Sequence, residues 1–196
     1  MNNKIIKELD FLFRIMNEEK FDGKLAVPSF QLIEGDMDWQ WKVRRLGDRG
    51  EFLISVCEKS LMKDMRTITT SMLHVMVHMY CAKQGIKDTC KNGWYHNNLF
   101  AATARSRGLI VEPHTVYAFV TTDVQQEVYA AVMKRCQGRP ELKDMVILNR
   151  EKRMEAIANQ KVKWYKCPVC GSKAKALRSN PLICGKCNKR MEIDED

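Results

Sequence analysis

Four cysteines fall in two Cys-x-x-Cys pairs within CPVCGSKAKALRSNPLICGKCN: Cys167 with Cys170, and Cys184 with Cys187. No other feature constrains the fold as strongly. Thiolates at this spacing suit tetrahedral zinc, each pair being carried on a tight turn, and Gly171 and Gly185 are placed to supply those turns. A segment of about thirty residues cannot bury enough apolar surface to fold alone, so a bound metal would contribute much of its folding free energy. Two disulfides or a redox pair are the rival readings. In a reducing compartment the pattern favours zinc.

The surroundings of the pairs are basic. Lys163, Lys166, Lys173, Lys175, Arg178, Lys186, Lys189 and Arg190 lie around them, with Trp164 and Tyr165 just ahead. Cations that neutralise phosphates, joined to aromatics that stack on bases, make a candidate nucleic-acid surface, with DNA favoured. A solvated basic face on a structural staple is the plainer reading. The whole chain of 196 residues carries a formal net charge of +9, which also favours a polyanionic partner. Composition changes after Gln160, so residues 161–196 are expected to form a small C-terminal zinc ribbon behind a larger domain at 1–160.

Within that larger domain, Ile5, Leu9, Leu12 and Met16 recur at helical spacing and predict a helix over residues 3–19. The segments Ser29–Glu34, Trp39–Arg44 and Glu51–Val56 read as strands separated by glycines, giving a small antiparallel sheet. A helix is expected from Lys63 to Lys83, ended by Gly85, and another from Asn97 to Arg107, ended by Gly108. Residues 86–95 read as a loop. Asp123 is placed to cap a helix through Met133, and a charged helix is expected over 141–159, so that about 115–160 forms a helical extension.

The second of these helices contains SMLHVMVHMY. His74 and His78 are four apart, so their imidazoles project from one helical face and can hold one ion. A third ligand is needed. His96, at the start of the next helix, is the better placed of the two remaining histidines, and His114, beside Pro113, is the weaker. Spacing alone leaves the ordinary core or surface histidine pair open. Cys57, Cys81, Cys90 and Cys136 read as reduced core or surface thiols, with Cys90 an outside candidate for the metal. Tyr80 and Tyr95 flank the histidines and are candidates to hydrogen-bond an oxyanion, with core packing the plainer reading of each.

Taken in order, these motifs resemble the SprT-like family, the zinc metalloprotease group that includes the Spartan proteases. NEEKFDGKLAVPSF resembles the family's motif between first helix and first strand. TITTSMLHVMVHMYC resembles its active-site helix, normally of the form His-Glu-x-x-His, and HNNLFAATARSRGL its third-ligand helix. The cysteine pairs resemble its frequent zinc ribbon. The likeness covers nearly the whole chain except about 115–160.

The resemblance implies an α+β fold: a zincin-like metalloprotease domain of helix, small antiparallel sheet and metal-binding helix pair, plus the ribbon. It implies two Zn2+ sites, one on His74, His78 and His96 and one on the four cysteines, in a protein acting on or near DNA-bound proteins. It also exposes a departure. The catalytic glutamate position holds Val75, and valine cannot take a proton from water or pass one to a leaving amine. Asp64, Asp88 and Glu112 are the nearest carboxylates, none within a turn of the motif. Peptidase activity is therefore expected to be impaired or absent, and a pseudoprotease that binds nucleic acid as an adaptor is the alternative. The opening MNNKIIKELDFLFRIMNEEK is interrupted by charge and lacks a small-residue cleavage site, and no apolar run is long enough to span a bilayer. A cytoplasmic, intracellular monomer with no membrane role is expected.

Overall fold

The apolar stripe at the start of the chain is buried along one helix. In the computed structural model α1 (Asn2–Phe21) places Ile5, Leu9, Leu12, Phe13 and Met16 in the core, each exposed by 2% or less. The structure describes residues 2–34, 41–47, 50–90, 95–139, 162–177 and 182–194, with the single positions 144 and 151. Two compact units divide the chain, Met1–Asn149 and Arg150–Asp196, and the fold of the described residues is α+β. The boundary expected near residue 160 lies outside the described residues.

Three strands follow in the first unit: β1 (Ser29–Ile33), β2 (Trp41–Leu46) and β3 (Glu51–Cys57). Trp39, expected in the second strand, lies outside the described residues. The sheet is mixed, not antiparallel throughout. Its order is β1-β3-β2, with β3 parallel to β1 and antiparallel to β2, so that Ile54 stands between Phe30 and Val43. The physical reason is burial. β3 carries the apolar series Phe52, Ile54 and Val56, all buried, and takes the centre. β2 joins it through a hairpin and is left at an edge, its Trp41 Nε1 donating 2.8 Å to Ser60 Oγ.

The next helix, α2 (Met65–Gln84), begins at Asp64, whose carboxylate accepts from Thr67 N at 2.7 Å. It ends at Gly85, at φ 68°, a left-handed conformation that costs glycine little. Residues 86–95, expected as a loop, contain two short paired strands, β4 (Thr89–Cys90) and β5 (Tyr95–His96). α3 (Asn98–Ser106) follows, with Asn97 as its cap.

Beyond α3 the expectation fails in part. Residues within the supposed helical extension form β7 (Ala118–Val124), which pairs antiparallel with β6 (Leu109–His114). Asp123 does not cap the next helix, α4 (Gln126–Arg135), which starts after Gln125 without a side-chain cap. Its carboxylate accepts from Arg66 Nε at 2.8 Å, while Arg66 Nη2 donates 2.7 Å to Val124 O. A guanidinium on α2 competed successfully for that carboxylate, and the fork ties α2 to β7. The charged helix expected over 141–159 lies outside the described residues, positions 144 and 151 apart.

The second unit is a three-stranded antiparallel sheet, ordered β10 (Glu192–Ile193), β8 (Val162–Lys166), β9 (Lys173–Leu177), with the cysteine pairs beside it. Tyr165, Cys167, Cys184 and Met191 make its small core. Among the described residues no helix is long and apolar enough to cross a membrane.

Candidate metal centres

Two groups of side chains are arranged to hold a metal ion: His74, His78 and His96, and Cys167, Cys170, Cys184 and Cys187. Within each group the donor atoms lie within 4.8 Å of one another.

The histidine group is assembled by two elements. His74 and His78 lie one turn apart on α2, and β5 brings in His96. Asn97 fixes that approach: its Nδ2 donates 2.7 Å to Lys87 O, and its Oδ1 accepts from Leu99 N and Phe100 N at 2.9 and 3.1 Å. One side chain thus closes the loop and starts α3. Beneath the imidazoles lies Phe100, fully buried, its ring stacked on His96 at 3.9 Å and on His78 at 4.9 Å between centroids.

All three Nδ1 atoms are occupied. His78 Nδ1 lies 2.6 Å from Asp88 Oδ2, His96 Nδ1 lies 3.2 Å from Phe119 O, and His74 Nδ1 lies 2.9 Å from Thr121 Oγ1. A carbonyl and a carboxylate only accept here, so His96 and His78 carry hydrogen on Nδ1. Their Nε2 lone pairs then turn inward. His78 Nε2 is 3.1 Å from His74 Nε2 and 3.2 Å from His96 Nε2. Two nitrogens bound to one tetrahedral ion at 2.0–2.1 Å stand about 3.3 Å apart, so the donors fit a single ion. Protonated imidazoles would repel in this space. Burial first, and then the charges of His78 and His96, hold the His74 pKa well below its ordinary value, and burial followed by the charge of His78 lowers that of His96. Each hydrogen-bonded Nδ1 also orients its ring, as the outer partners of metal-binding histidines do.

Val75, the next residue on α2, is 1% exposed and is among the residues that line the same cavity as His74 and His78. That cavity, about 430 Å3, is bounded by β2 and β3 residues Trp41, Lys42, Val43, Arg45 and Phe52, and on the far side by Ala82, Asp88 and Thr89. Asp88 is its one carboxylate among the described lining residues, and His78 engages it. Glu112 is exposed on the β6–β7 hairpin, and Asp64 caps α2. Neither enters the site.

His114 is also outside it: its Nδ1 accepts from Val116 N and Tyr117 N at 3.1 and 3.2 Å and organises the hairpin turn. Cys90 is exposed, its Sγ directed at Tyr95 O 3.6 Å away. Tyr80 lies under the Arg107 guanidinium, 4.4 Å from its ring centre. Tyr95 sits 6.1 Å from the Tyr117 ring. Phe100, on α3, reads from sequence only as a core aromatic, and Thr121 and the Phe119 carbonyl escaped the sequence reading because no spacing rule links β7 to α2.

The cysteine group is built on two matching turns. Gly171 N donates 3.0 Å to Cys167 O, and Asn188 N donates 2.8 Å to Cys184 O. The residue after the second cysteine is left-handed in both turns, Gly171 at φ 72° and Asn188 at φ 49°. Gly185 lies within the second turn as expected, but the left-handed position falls to Asn188, since asparagine tolerates that conformation well enough to replace a glycine. Cys170 Sγ and Cys184 Sγ are 3.6 Å apart, close to the roughly 3.8 Å expected for sulfurs sharing a tetrahedral zinc. The Ser172 hydroxyl and backbone hold the Cys170 thiol down to about 6, and the bond to Cys170 pushes Cys187 up to about 12. Four thiolates so close together need a cation to coexist.

On the ribbon sheet, Trp164 and Lys175 are opposite one another, with the Lys175 ammonium 4.7 Å from the Trp164 ring centre. Lys166 and Lys173 pair beside them on the same exposed face, and Lys173 makes an ion pair with Asp194. Lys163 is half-buried on the opposite face, Lys186, Lys189 and Arg190 are exposed near the second turn, and Arg178 lies outside the described residues. No protein-family model, curated protein or solved structure matches this chain.

Proposed function

We propose that this chain is an SprT-like zinc protein: a zincin-like metalloprotease scaffold with zinc on His74, His78 and His96, and a structural zinc in the C-terminal ribbon. Its work lies on or near proteins bound to DNA, with peptidase activity impaired or absent. The observation that carries the reading is the inward turn of the imidazoles, each Nδ1 hydrogen-bonded outward and the Nε2 atoms 3.1 and 3.2 Å from a common neighbour. The ordered motifs of the sequence supply the family.

In that role His74, His78 and His96 hold the ion, Asp88, Thr121 and the Phe119 carbonyl orient them, and Phe100 supports their rings. A bound zinc supplies Lewis acidity toward a carbonyl or a water. Among the described residues of the site, the proton carrier is missing. Val75 fills the glutamate position, and Asp88 is engaged by His78 as an outer-shell partner. This favours the second reading as well, a non-catalytic adaptor that retains the scaffold and binds nucleic acid through Trp164 and the ribbon lysines.

Elemental analysis of the purified chain tests the first step. Two zincs per chain are expected, and one if the histidine site binds none. A casein-cleavage assay beside Val75→Glu then divides the two readings. Restoring the base is expected to raise the rate by about 10²–10⁴-fold. Full activity of the unaltered chain would remove the pseudoprotease argument, and inactivity of both would favour the adaptor. Binding to single-stranded DNA that weakens with salt is expected of the ribbon; none at low salt would end the nucleic-acid reading.

A further inference from the structure

Down one face of α2 stand Arg66, Thr70, His74 and His78, each four residues after the last, a step of about 6 Å. Down β7 stand Asp123, Thr121 and Phe119, two residues apart, a step of about 6.6 Å. The steps match, so the two columns mesh. Asp123 meets Arg66 and, at 3.5 Å, the Thr70 hydroxyl; Thr121 Oγ1 meets His74 Nδ1; and the Phe119 carbonyl meets His96 Nδ1. One guanidinium holds the end of this fit. Arg66 Nε lies 2.8 Å from both Asp123 carboxylate oxygens, Nη1 donates 2.6 Å to Gln126 Oε1, and Nη2 donates 2.7 Å to Val124 O. The Tyr129 ring centre lies 5.1 Å from the same guanidinium.

Pairing with β6 does not settle the fit by itself. The β6–β7 ladder shifts register between Ile110 and Val111, whose partners are Asp123 and Thr121, so Thr122 is the extra residue of a bulge. A bulge bends and re-aims its strand, and Arg66 grips the first residue beyond this one. A slip of one residue along α2 would turn Thr121 away from His74. A slip of two would bring Asp123 or Phe119 there in its place.

We propose that Arg66 and Asp123 are positioning residues for the histidine centre: their ion pair sets how far β7 lies along α2, and so places the Thr121 hydroxyl and the Phe119 carbonyl on the Nδ1 atoms of His74 and His96. The inference rests on the zinc reading of that centre and adds a pair that acts on it through β7. Outer partners of metal-binding histidines fix the orientation of the rings, so a group that fixes those partners controls the centre at one remove. The planar fork of arginine suits the task, because it holds a carboxylate and a backbone carbonyl of the same strand at once.

Chelator competition on the zinc-loaded full chain tests this, with the cysteine site as internal reference. The Arg66 and Asp123 side chains are 31% and 37% exposed, so their substitution leaves the core packed. Arg66→Gln and Asp123→Asn are each expected to weaken zinc at the histidine site by about tenfold and to leave the ribbon zinc unchanged. Arg66→Lys, which keeps the charge and loses the fork, is expected to fall between. A double-mutant cycle with Thr121→Val separates positioning from a general loosening of the fold. Thr121→Val alone is expected to weaken zinc by about tenfold, and Arg66→Gln in that background to add less than about threefold. The visible spectrum of cobalt(II) in the histidine site is expected to shift in Asp123→Asn as it does in Thr121→Val. Additive losses in the cycle, or affinity and spectrum unchanged by Arg66→Gln and Asp123→Asn, overturn the proposal. Equal weakening by Val132→Ala, a buried truncation on α4, would assign the effect to lost stability and overturn it too. Zinc content of the unaltered chain separates the failures. Two zincs with any of these results refute this inference alone; one zinc per chain refutes the reading beneath it.

Discussion

His78 Nδ1 lies 2.6 Å from the Asp88 carboxylate, across the turn that ends α2. The contact fixes which nitrogen of His78 faces the centre and raises that nitrogen's basicity. Asp88→Asn keeps the shape and removes the charge, and it is expected to weaken zinc at the histidine site by about 10–100-fold. Chelator competition measures this, with the cysteine site as an internal reference. Unchanged affinity would mean that Asp88 serves only the loop.

Val75 makes a second prediction through burial, independent of catalysis. It is 1% exposed, so a glutamate there leaves water on folding. Without metal, Val75→Glu is expected to lose roughly 1–3 kcal/mol of stability. Zinc in the site offsets part of that loss. Urea unfolding with and without zinc reads the difference, and equal destabilisation in both would place the carboxylate away from the ion.

Phe100 supports all three imidazoles from below. Phe100→Ala is expected to cost about 3–5 kcal/mol as a buried aromatic truncation, and to weaken zinc binding in addition. Phe100→Leu separates the effects: it fills most of the volume but has no flat face against His96. A leucine variant with full metal affinity would reduce Phe100 to core packing.

In the metal-free protein, stability is expected to fall on the acid side. His74 and His96 have folded pKa values below the ordinary 6.5, chiefly through burial. Above that value both are neutral folded and unfolded, and no stability is lost. Below it the unfolded chain takes up protons that the folded chain refuses, at about 1.4 kcal/mol per pH unit for each proton. Urea midpoints in chelator at pH 7.5 and 5.5 test the sign, and a midpoint that rises on acidification contradicts it.

The ribbon is expected to depend on its metal outright. Cys184 is buried between the turn of Asn188 and the sulfur of Cys170. Cys184→Ser is expected to remove one zinc per chain and the dispersed amide resonances of residues 162–194, with those of α1 to α3 retained. Persistence of the ribbon resonances would show that its small apolar core suffices alone.

Much of this was legible because it is local. The stripe Ile5, Leu9, Leu12 and Met16, the helix end at Gly85, and the spacing of the cysteines each depend on residues a turn or two apart. Periodicity and capping record such relations directly in the chain. His74 and His78 belong to the same class, since four residues on a helix fix their common face. His96 could be named from sequence but not placed.

What tertiary structure decided is everything that depends on pairing between distant segments. β3 took the middle of the sheet and made it mixed. Asp123 left its expected capping role for Arg66, 57 residues away. β7 formed at the start of the supposed helical extension and brought Thr121 and the Phe119 carbonyl to two of the imidazoles. A strand's partner and a carboxylate's counter-ion are chosen by competition among all groups the fold brings near, and that competition leaves no spacing to read. The sequence alone determined a cysteine quartet and a histidine pair at metal-ligand spacing, and the valine beside that pair. Only the fold decided that three imidazoles share one centre and that the nearest carboxylate is already engaged, because burial and long-range hydrogen bonds set both.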